Sequence, residues 1–223
     1  MRNTLENSNA KYSNVPDGYF SGARKAFIDD MPVNPDARLL EIGCGTGDTA
    51  AYALSTGKCG WCAGVELCTA PAVEAASRLN DVQIGDVENL VLPYSKEYFD
   101  VMIMSEVIEH FVDPWATLKR LRLHLKVGAL VVAGSPNVAH WGVLNMLFRG
   151  RWDYTSAGIM DRTHLRWFTP VTYRELFEDA GFNVTWCGPA TPLTSKALWF
   201  NRLTGGRFEH LLTTQIHLKA IRA

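Results

Sequence analysis

The stretch LLEIGCGTG, residues 39–47, limits what this chain can fold into more than any other part of its sequence. A short apolar strand, predicted over 37–43, runs directly into a turn that holds Gly43, Gly45 and Gly47. Closely spaced glycines let a backbone turn sharply and approach a ligand closely, because no Cβ atom stands in the way. The stretch therefore predicts a buried strand that ends at a ligand-binding turn, followed by a helix.

Strands and helices alternate along the rest of the chain. Apolar runs predict strands over 37–43, 61–67, 82–86, 99–106, 129–136, 182–188 and 213–223. Helical spacing predicts helices over 17–31, 46–55 and 70–79, from Pro114 to a stop at Gly128, and from Pro170 to a stop at Gly181. This order is typical of an α/β fold with a doubly wound, mostly parallel sheet and helices on both faces. The last two strands have no clear crossover helix between them, which allows one of them to run antiparallel.

The composition fits one domain. The 223 residues, 47% of them hydrophobic, are enough for one well-packed core. A net charge of −1 does not favour a nucleic-acid partner or a membrane surface, which usually go with a basic excess. No apolar run reaches the roughly 18 residues of a membrane span, and the polar first residues lack the apolar region of a secretory signal. We expect one cytoplasmic domain over 1–223 with no membrane insertion.

Acidic residues stand where the first three predicted strands end. Glu41 lies two residues before Gly43, Glu66 ends the second strand and Asp86 ends the third. The carboxyl ends of parallel strands form the ligand-binding edge of such a sheet, so these carboxylates are expected to share one pocket. Asp48 occupies the place of the third glycine in the dinucleotide fingerprint G-x-G-x-x-G, and a pyrophosphate would be repelled there. The acidic pocket suits a ribose, an amine donor and positive charge, all of which S-adenosylmethionine carries.

Four motifs in order add a family resemblance. They are LLEIGCGTG, the acid in GVEL, GDVENL and FDVMIMSEVIEHFVDP. From about Ala37 to the C-terminus the chain resembles the class I S-adenosylmethionine-dependent methyltransferases of types 11 and 12. The resemblance implies a Rossmann-like sheet of seven strands with the last strand antiparallel. It also implies S-adenosylmethionine as cofactor and S-adenosylhomocysteine as product.

The resemblance also assigns the cofactor site. It implies that Glu41 and the glycine turn line the methionine part, Glu66 the ribose, Asp86 with Val87 the adenine, and Ser105 the sulfonium. The implied cofactor-binding residues are Glu41, Gly43, Cys44, Gly45, Gly47, Glu66, Leu67, Asp86, Val87 and Ser105. The segment 1–36 is expected to form a cover and a helix, with Tyr12 and Tyr19 closing over the cofactor.

The segment 137–168 is the predicted acceptor side. It follows the fifth strand and spans about thirty residues where a minimal fold would have a short connection, which indicates a lid or an acceptor site. Its aromatic residues and arginines suit a sugar, or a phosphate-bearing acceptor such as a nucleotide-sugar. The stretch DRTHLRWFTP resembles one in methyltransferases encoded with bacterial surface-glycan enzymes. We expect O-methylation of a sugar or glycan precursor.

An alcohol acceptor must lose a proton, and histidine is the natural base near neutral pH. The candidates are His164, with Asp161 to orient it, then His140, and finally His110 in SEVIEHF. No metal is expected, because no carboxylate cluster has the spacing of a magnesium site. The one C-x-x-C, Cys59 to Cys62, lacks the second pair that a four-cysteine zinc site needs.

Three other functions remain open from the sequence. SEVIEHFVDP also resembles methyltransferases of small phenolic or quinone-type metabolites. A nicotinamide-dependent sugar-modifying enzyme and a non-catalytic cofactor-binding module are the further alternatives. The insertion 190–212 is expected either to cover the acceptor or to form the surface of a homodimer.

Overall fold

The computed structural model describes residues 18–29 and 31–223. Over these residues the chain forms one seven-stranded sheet in the order β3-β2-β1-β4-β5-β7-β6. The strands are β1 (Arg38–Ile42), β2 (Trp61–Glu66), β3 (Asp81–Ile84), β4 (Phe99–Ser105), β5 (Leu125–Pro136), β6 (Phe182–Pro189) and β7 (Gln215–Arg222). The helices are α1 (Lys25–Asp29), α2 (Asp48–Ser55), α3 (Thr69–Ala75), α4 (Pro114–Arg122), α5 (Trp141–Phe148), α6 (Pro170–Asp179), α7 (Ser195–Leu203) and α8 (Glu209–Leu212), with a 3₁₀ turn at Ile108–His110.

The sheet is mostly parallel, and its chain order reverses between β1 and β4. The pairs β1–β2, β1–β4, β2–β3 and β4–β5 are parallel, whereas β7 runs antiparallel to both β5 and β6. This confirms the predicted doubly wound sheet with an antiparallel last strand. The carboxyl ends of β1 and β4 lie side by side at the reversal, with Ile42 opposite Met104. Ligands of open α/β sheets bind at such a reversal.

Both faces of the sheet are buried, which explains the continuous apolar strands. Leu40 and Met102 face one apolar cluster, and Leu39 and Ile103 face the other. All four are fully buried, and each such side chain stabilises the fold by about 1.5–3 kcal/mol. Strands covered by helices on both sides have no solvent face, so their sequences do not alternate. In the described part of the chain no helix is both long and apolar enough to cross a membrane.

Two helix ends differ from the sequence prediction. The first helix, predicted over 17–31, is confined to α1, because Gly18 and Gly22 take left-handed φ angles of +79° and +102°. The helix predicted to stop at Gly128 ends at Arg122, because the chain enters β5 at Leu125, which pairs with Phe99. The register shifts after this pair, and Gly128 lies in the irregular part of β5.

Two helix starts are confirmed in detail. The side chain of Asp113 accepts a hydrogen bond of 3.0 Å from the Ala116 amide, and Pro114 is the first residue of α4. Thr169 caps α6 in the same way, with Pro170 in the first helical position. Proline has no amide proton, so the first turn of a helix loses no hydrogen bond there.

None of the five cysteines forms a disulfide bond, and each is a free thiol.

Gly47 illustrates a glycine required by packing. Its φ is +80°, and a Cβ atom built there would lie 3.1 Å from the Cβ atom of Ala75 and from Cγ of Leu79. The third glycine of the turn therefore lets α2 approach the helix that follows β2.

We predict that Gly47→Ala lowers the free energy of unfolding by about 2–3 kcal/mol, combining backbone strain with a clash against α3. Gly150→Ala is the matched control, because Gly150 also has a positive φ, +68°, but no atom lies within 4 Å of a Cβ built there. Urea unfolding followed by circular dichroism measures both variants. Equal losses in the two variants would show that packing against α3 does not constrain position 47.

Candidate functional site

A cavity of about 640 Å³ opens at the carboxyl ends of β1, β2 and β4. Most of the predicted site residues line it: Glu41, Gly43, Cys44, Gly45, Glu66, Leu67, Asp86, Val87, Ser105, Asp161 and His164. Gly47 and His140 are not among the described residues that line the cavity. The fold thus brings most of the predicted site residues together at one place.

The glycine turn is closed in from two sides. A Cβ atom at Gly43 would lie 2.8 Å from Cγ2 of Val107, which follows β4. A Cβ atom at Gly45 would lie 2.3 Å from the carbonyl oxygen of Phe20, in the N-terminal segment. Side chains at either position would push these neighbours away, so the turn depends on glycine for its own packing.

Glu66 holds this turn in place. Its Oε2 accepts a hydrogen bond of 2.9 Å from the Gly45 amide, and its Oε1 accepts one of 2.8 Å from the Cys68 amide. The side chain is buried, and this burial raises the pKa of Glu66 even though the two amides favour the charged form. Glu66 therefore joins the end of β2 to the turn that follows β1.

Glu41 lies deeper, beneath the start of α2. Its Oε2 accepts a hydrogen bond of 3.0 Å from the Ala50 amide. Burial raises the pKa of Glu41 to about 8, and the carboxylates of Glu66 and Asp48 add to the effect. Near neutral pH this carboxyl group holds its proton until a cation approaches it.

Asp86 organises the third strand end. Its Oδ1 accepts a hydrogen bond of 2.9 Å from the Glu88 amide, and its Oδ2 accepts one of 2.7 Å from the Asn89 side chain. These bonds form a tight turn at the rim of the cavity. Val87, the next residue, is buried against the cavity wall.

Residues 18–22 cross over the glycine turn. The Thr46 amide donates a hydrogen bond of 2.9 Å to the Phe20 carbonyl, and the Gly22 amide donates one of 2.7 Å to Oδ2 of Asp48. Burial, and then the nearby Asp161, raise the pKa of Tyr19, which lines the cavity, to about 12. Tyr12, the other predicted cover residue, lies outside the described residues.

Asp48 has a different role from the one its sequence position indicates. Instead of facing a ligand, its carboxylate accepts hydrogen bonds from Gly22 and Thr46 and forms a 2.7 Å ion pair with Arg78. These contacts lower the pKa of Asp48. Asp48 anchors the N-terminal segment and does not add charge to the cavity lining.

The cavity is nevertheless strongly acidic. Its acidic lining residues are Glu41, Glu66, Asp86, Glu88, Glu106, Glu109 and Asp161. Arg24 is the one lysine or arginine among the described residues that line it. Such a lining attracts a ligand with positive charge and repels a pyrophosphate, so it fits the sulfonium and ammonium groups of S-adenosylmethionine.

The far end of the cavity is built from the 3₁₀ turn and the segment 137–168. The amides of Leu165 and Arg166 donate hydrogen bonds of 2.8 and 3.0 Å to the carbonyl oxygen of Glu109. Nδ1 of His110 lies 3.2 Å from the carbonyl oxygen of Thr163. Through these contacts the segment brings His164 to the end of β4.

His164 is oriented by the backbone. Its Nδ1 lies 3.1 Å from the carbonyl oxygen of Ile159, and its Nε2 lies 4.0 Å from Oε1 of Glu109. The Oδ1 atom of Asp161, the predicted orienting residue, accepts hydrogen bonds of 2.8 Å from the amide and the hydroxyl of Thr163. Asp161 thus fixes the loop, and the Ile159 carbonyl determines which nitrogen of His164 carries the proton.

His140 is a helix cap. Its Nδ1 accepts a hydrogen bond of 3.2 Å from the Gly142 amide at the start of α5, and burial lowers its pKa. The structure therefore places His140 at a helix start and not among the described residues that line the cavity.

The sequence analysis overlooked Glu106 and Glu109. Both carboxyl groups are buried at the cavity wall, and burial raises the pKa of each. Glu106 also has a left-handed φ of +54°, a strained backbone that is common at functional sites. The signal that could have revealed them is the E-x-x-E-H spacing within SEVIEHF, whose one-turn separation places both acids beside His110.

Comparisons with known proteins identify a family and several relatives. The profile of the family described as "Methyltransferase domain" matches residues 20–185. A demethylmenaquinone methyltransferase of Staphylococcus haemolyticus is 22% identical over 177 residues, which cover 72% of this chain and 74% of that protein. The corresponding protein of Staphylococcus saprophyticus is 27% identical over 114 residues, which cover 49% of this chain and 48% of its own length.

Solved structures share the fold. One is a chain of the complex between the Trm112 methyltransferase activator and a methyltransferase of Haloferax volcanii, with 17% identity, a TM-score of 0.63, and coverage of 97% of this chain and 93% of that one. Another is an S-adenosylmethionine-dependent methyltransferase of Mesorhizobium loti, with 16% identity, a TM-score of 0.62, and coverage of 89% and 96%. At these identities the likeness shows the fold alone.

The raised pKa of Glu41 leads to a prediction about stability. The folded-state pKa of about 8 lies above the value of about 4.3 for an unfolded glutamate, so the folded chain holds a proton that the unfolded chain releases. The stability contributed by this proton is complete below about pH 4 and is lost as the pH rises to 8. We predict that Glu41→Gln is more stable than the wild type at pH 8, by on the order of 4 kcal/mol, and equal to it near pH 4.

Chemical denaturation of the ligand-free protein at several pH values measures this difference. Glu175→Gln, at an exposed position of α6, is the control and is expected to follow the wild type. A constant difference between Glu41→Gln and the wild type across the pH range would contradict the assignment.

Proposed function

The chain belongs to the methyltransferase domain family, and on that basis we propose that it methylates a hydroxyl group of a sugar or glycan precursor. It is an S-adenosylmethionine-dependent methyltransferase, with S-adenosylhomocysteine as its product. This family membership removes the nicotinamide-dependent enzyme and the non-catalytic module from the alternatives. The acceptor and the roles of individual residues are our proposals.

We assign the cofactor to the acidic half of the cavity. Glu66 would accept both ribose hydroxyls, Asp86 and Val87 would hold the adenine, and Glu41 and the glycine turn the methionine part. The assignment is supported by the burial of the three strand ends around one cavity. A carboxylate has about four lone-pair positions, so Glu66 can keep its bonds to the Gly45 and Cys68 amides while it accepts the ribose.

The protein contributes to this reaction mainly by positioning the acceptor against the cofactor. S-adenosylmethionine supplies a methyl group on a positively charged sulfur, and the bond from that sulfur to carbon breaks as the acceptor oxygen bonds to the carbon. Residues around Ser105 would hold the acceptor oxygen in line with this bond, which is the main source of rate in such a displacement. The hydroxyl proton must leave, and we propose that Nε2 of His164 accepts it, because Nδ1 faces the Ile159 carbonyl.

The polarity of the far cavity wall is the observation that carries the choice of acceptor. Glu106, Glu109, His110, Asp161 and His164 all line this end, next to Ser105. A sugar can pair its hydroxyls with such groups. A flat apolar ring would bury them without partners, at a cost of about 1–3 kcal/mol for each group. The wall therefore favours a hydroxylated acceptor, with segment 137–168 as the lid over it.

A quinone-type acceptor is the second candidate. The relatives named demethylmenaquinone methyltransferase favour it, at 22–27% identity. The acidic wall argues against a quinone-type acceptor, because an apolar ring would bury the polar side chains of the wall without hydrogen-bond partners.

A transfer experiment distinguishes the two acceptors. Purified protein and S-adenosylmethionine with a radiolabelled methyl group are added to an extract of the source cells, and the products are separated by solvent, size and nuclease or protease resistance. Label in small phosphorylated sugars or in a polymer resistant to both treatments supports the proposal. Label confined to the organic-soluble fraction contradicts it and supports the quinone-type acceptor.

The ribose assignment predicts the effect of Glu66→Gln. The amide oxygen of Gln can accept from one of the two backbone amides, but the NH₂ group cannot accept from a ribose hydroxyl. We expect the affinity for S-adenosylhomocysteine, measured by calorimetry, to fall by about 10-fold or more, in line with about 1–3 kcal/mol for such hydrogen bonds. Glu74→Gln, on the exposed side of α3, is the matched control. Unchanged affinity in Glu66→Gln would remove this residue from the cofactor site.

Replacing the two histidines of segment 137–168 should have different effects on turnover and on stability. His164→Ala is expected to lower kcat by about 10²–10⁴-fold, the usual contribution of a proton acceptor, with cofactor affinity near that of the wild type. His140→Ala should reduce stability by about 1 kcal/mol through the lost cap and retain its turnover. Turnover assays and thermal unfolding test both, and a fully active His164→Ala would exclude His164 as the proton acceptor.

A further inference from the structure

We propose that Glu109, His110 and His164 form a binding site for a divalent first-row transition-metal ion. One ligand atom from each residue lies within 4.8 Å of those of the other two. Around an ion with ligand distances of about 2.1 Å, neighbouring ligand atoms are roughly 3.4 Å apart in tetrahedral geometry. A bound ion would therefore draw the three atoms together by about an ångström, which side-chain rotations can provide.

The hydrogen bonds of both histidines already suit metal binding. Nδ1 of His164 lies 3.1 Å from the Ile159 carbonyl oxygen, and Nδ1 of His110 lies 3.2 Å from the Thr163 carbonyl oxygen. A carbonyl oxygen only accepts, so each Nδ1 carries the proton and each Nε2 carries the lone pair. Metal-binding histidines are typically fixed in this way, with the second ring nitrogen donating to a backbone carbonyl or a carboxylate.

The carboxyl group of Glu109 gives an independent indication of a cation. The residue is 1% exposed, and neither carboxyl oxygen meets hydrogen-bond geometry with a partner within the described ranges, although the Ser135 side chain and the Glu109 backbone interact with the carboxyl group. Oε1 of the nearby Glu106 is also buried and has no hydrogen-bond partner among the described residues. Burying carboxyl oxygens without partners costs several kcal/mol unless a cation is coordinated or a proton is retained. An ion at Glu109 would satisfy this group and reduce its repulsion with Glu106.

The backbone holds the ligands in a fixed relation. Glu109 and His110 belong to the 3₁₀ turn, and the amides of Leu165 and Arg166, which directly follow His164, donate hydrogen bonds to the Glu109 carbonyl. These two hydrogen bonds between distant parts of the chain bring His164 to the other two ligands. A fixed backbone with adjustable side chains is the arrangement that a metal site requires.

The donor set selects the kind of ion. Two imidazole nitrogens and one carboxylate oxygen suit Zn²⁺, Co²⁺ or Fe²⁺, whereas Mg²⁺ and Ca²⁺ favour oxygen ligands alone. Three protein ligands leave positions open, as in catalytic metal sites. Because all three residues line the cavity, those positions face the acceptor.

The role of the ion rests on the function proposed above. A hydroxyl oxygen of the acceptor bound at an open position would lose its proton to water more readily, because a divalent cation lowers the pKa of an oxygen ligand. The proton leaves to solvent, and the oxygen uses an electron pair to bond to the methyl carbon as the carbon–sulfur bond breaks and its electron pair stays on the sulfur. With an ion bound, the Nε2 lone pair of His164 binds the ion, and the ion takes over the task given to His164 in the metal-free centre.

Metal binding can be measured without any acceptor. Purified protein is treated with a chelator, dialysed, and titrated with ZnCl₂ by calorimetry, and CoCl₂ is added in parallel to record the visible absorption of Co²⁺. We expect one Zn²⁺ per chain in the wild type and at least 100-fold weaker binding in Glu109→Gln and His164→Ala. MgCl₂ should give no saturable binding. His124→Ala is the control, because His124 lies near Ser95 and does not line the cavity.

The outcomes separate the metal site from the proposed function. Absence of saturable Zn²⁺ binding in the wild type, or equal binding in Glu109→Gln, His164→Ala and His124→Ala, would overturn the metal site. Circular dichroism and S-adenosylhomocysteine binding identify a variant that has failed to fold, and Glu109→Gln keeps the size of the side chain. Methyl transfer to sugar fractions at full rate after chelation would refute the catalytic role of the ion and leave the sugar acceptor standing. Zn²⁺ binding that depends on Glu109 and His164 supports the site even if label appears only in the organic-soluble fraction.

Discussion

The two hydrogen bonds accepted by Glu66 hold together the part of the molecule on which everything else depends. They join the end of β2 to Gly45 and to Cys68, and so fix the glycine turn against the neighbouring strand. The glycine turn also fixes the start of α2, where the Ala50 amide donates a hydrogen bond to Glu41. A buried carboxylate that bonds to two amides is costly to replace, because any apolar substitute leaves both donors without partners. The proposed cofactor pocket is therefore shaped by the same hydrogen bonds that stabilise this edge of the sheet.

Carboxyl groups outnumber basic side chains around this cavity. Buried acids such as Glu41 and Glu109 have raised pKa values because the low-polarity surroundings disfavour their charged forms. A cationic ligand reverses this preference, since opposite charge nearby favours the ionised carboxylate. In the proposed cofactor site, binding of a cationic ligand is therefore expected to release the proton of Glu41.

Local patterns explain what could be predicted from the sequence, and long-range contacts explain what could not. The succession of strands and helices along the chain, the helix start at Pro170 and the grouping of acids at strand ends follow from spacing within short stretches. The position of Asp48 depends on Gly22 and Arg78, which are 26 and 30 residues away, so its role as an anchor was not visible. The same holds for His164, whose orientation depends on how a loop docks on the Glu109 backbone. The spacing of residues along one helix or turn can be read directly from the sequence. A contact between a loop and a distant part of the chain can be identified only from the three-dimensional structure.

The crossing of residues 18–22 over the turn has a consequence for how this protein can change over evolutionary time. The Phe20 carbonyl lies where a side chain at position 45 would be, so Gly45 is required by the chain's own backbone as well as by any ligand. A descendant that lost cofactor binding would still be selected to keep this glycine for as long as it kept the N-terminal crossing. In such a lineage the glycine turn would outlast the chemistry.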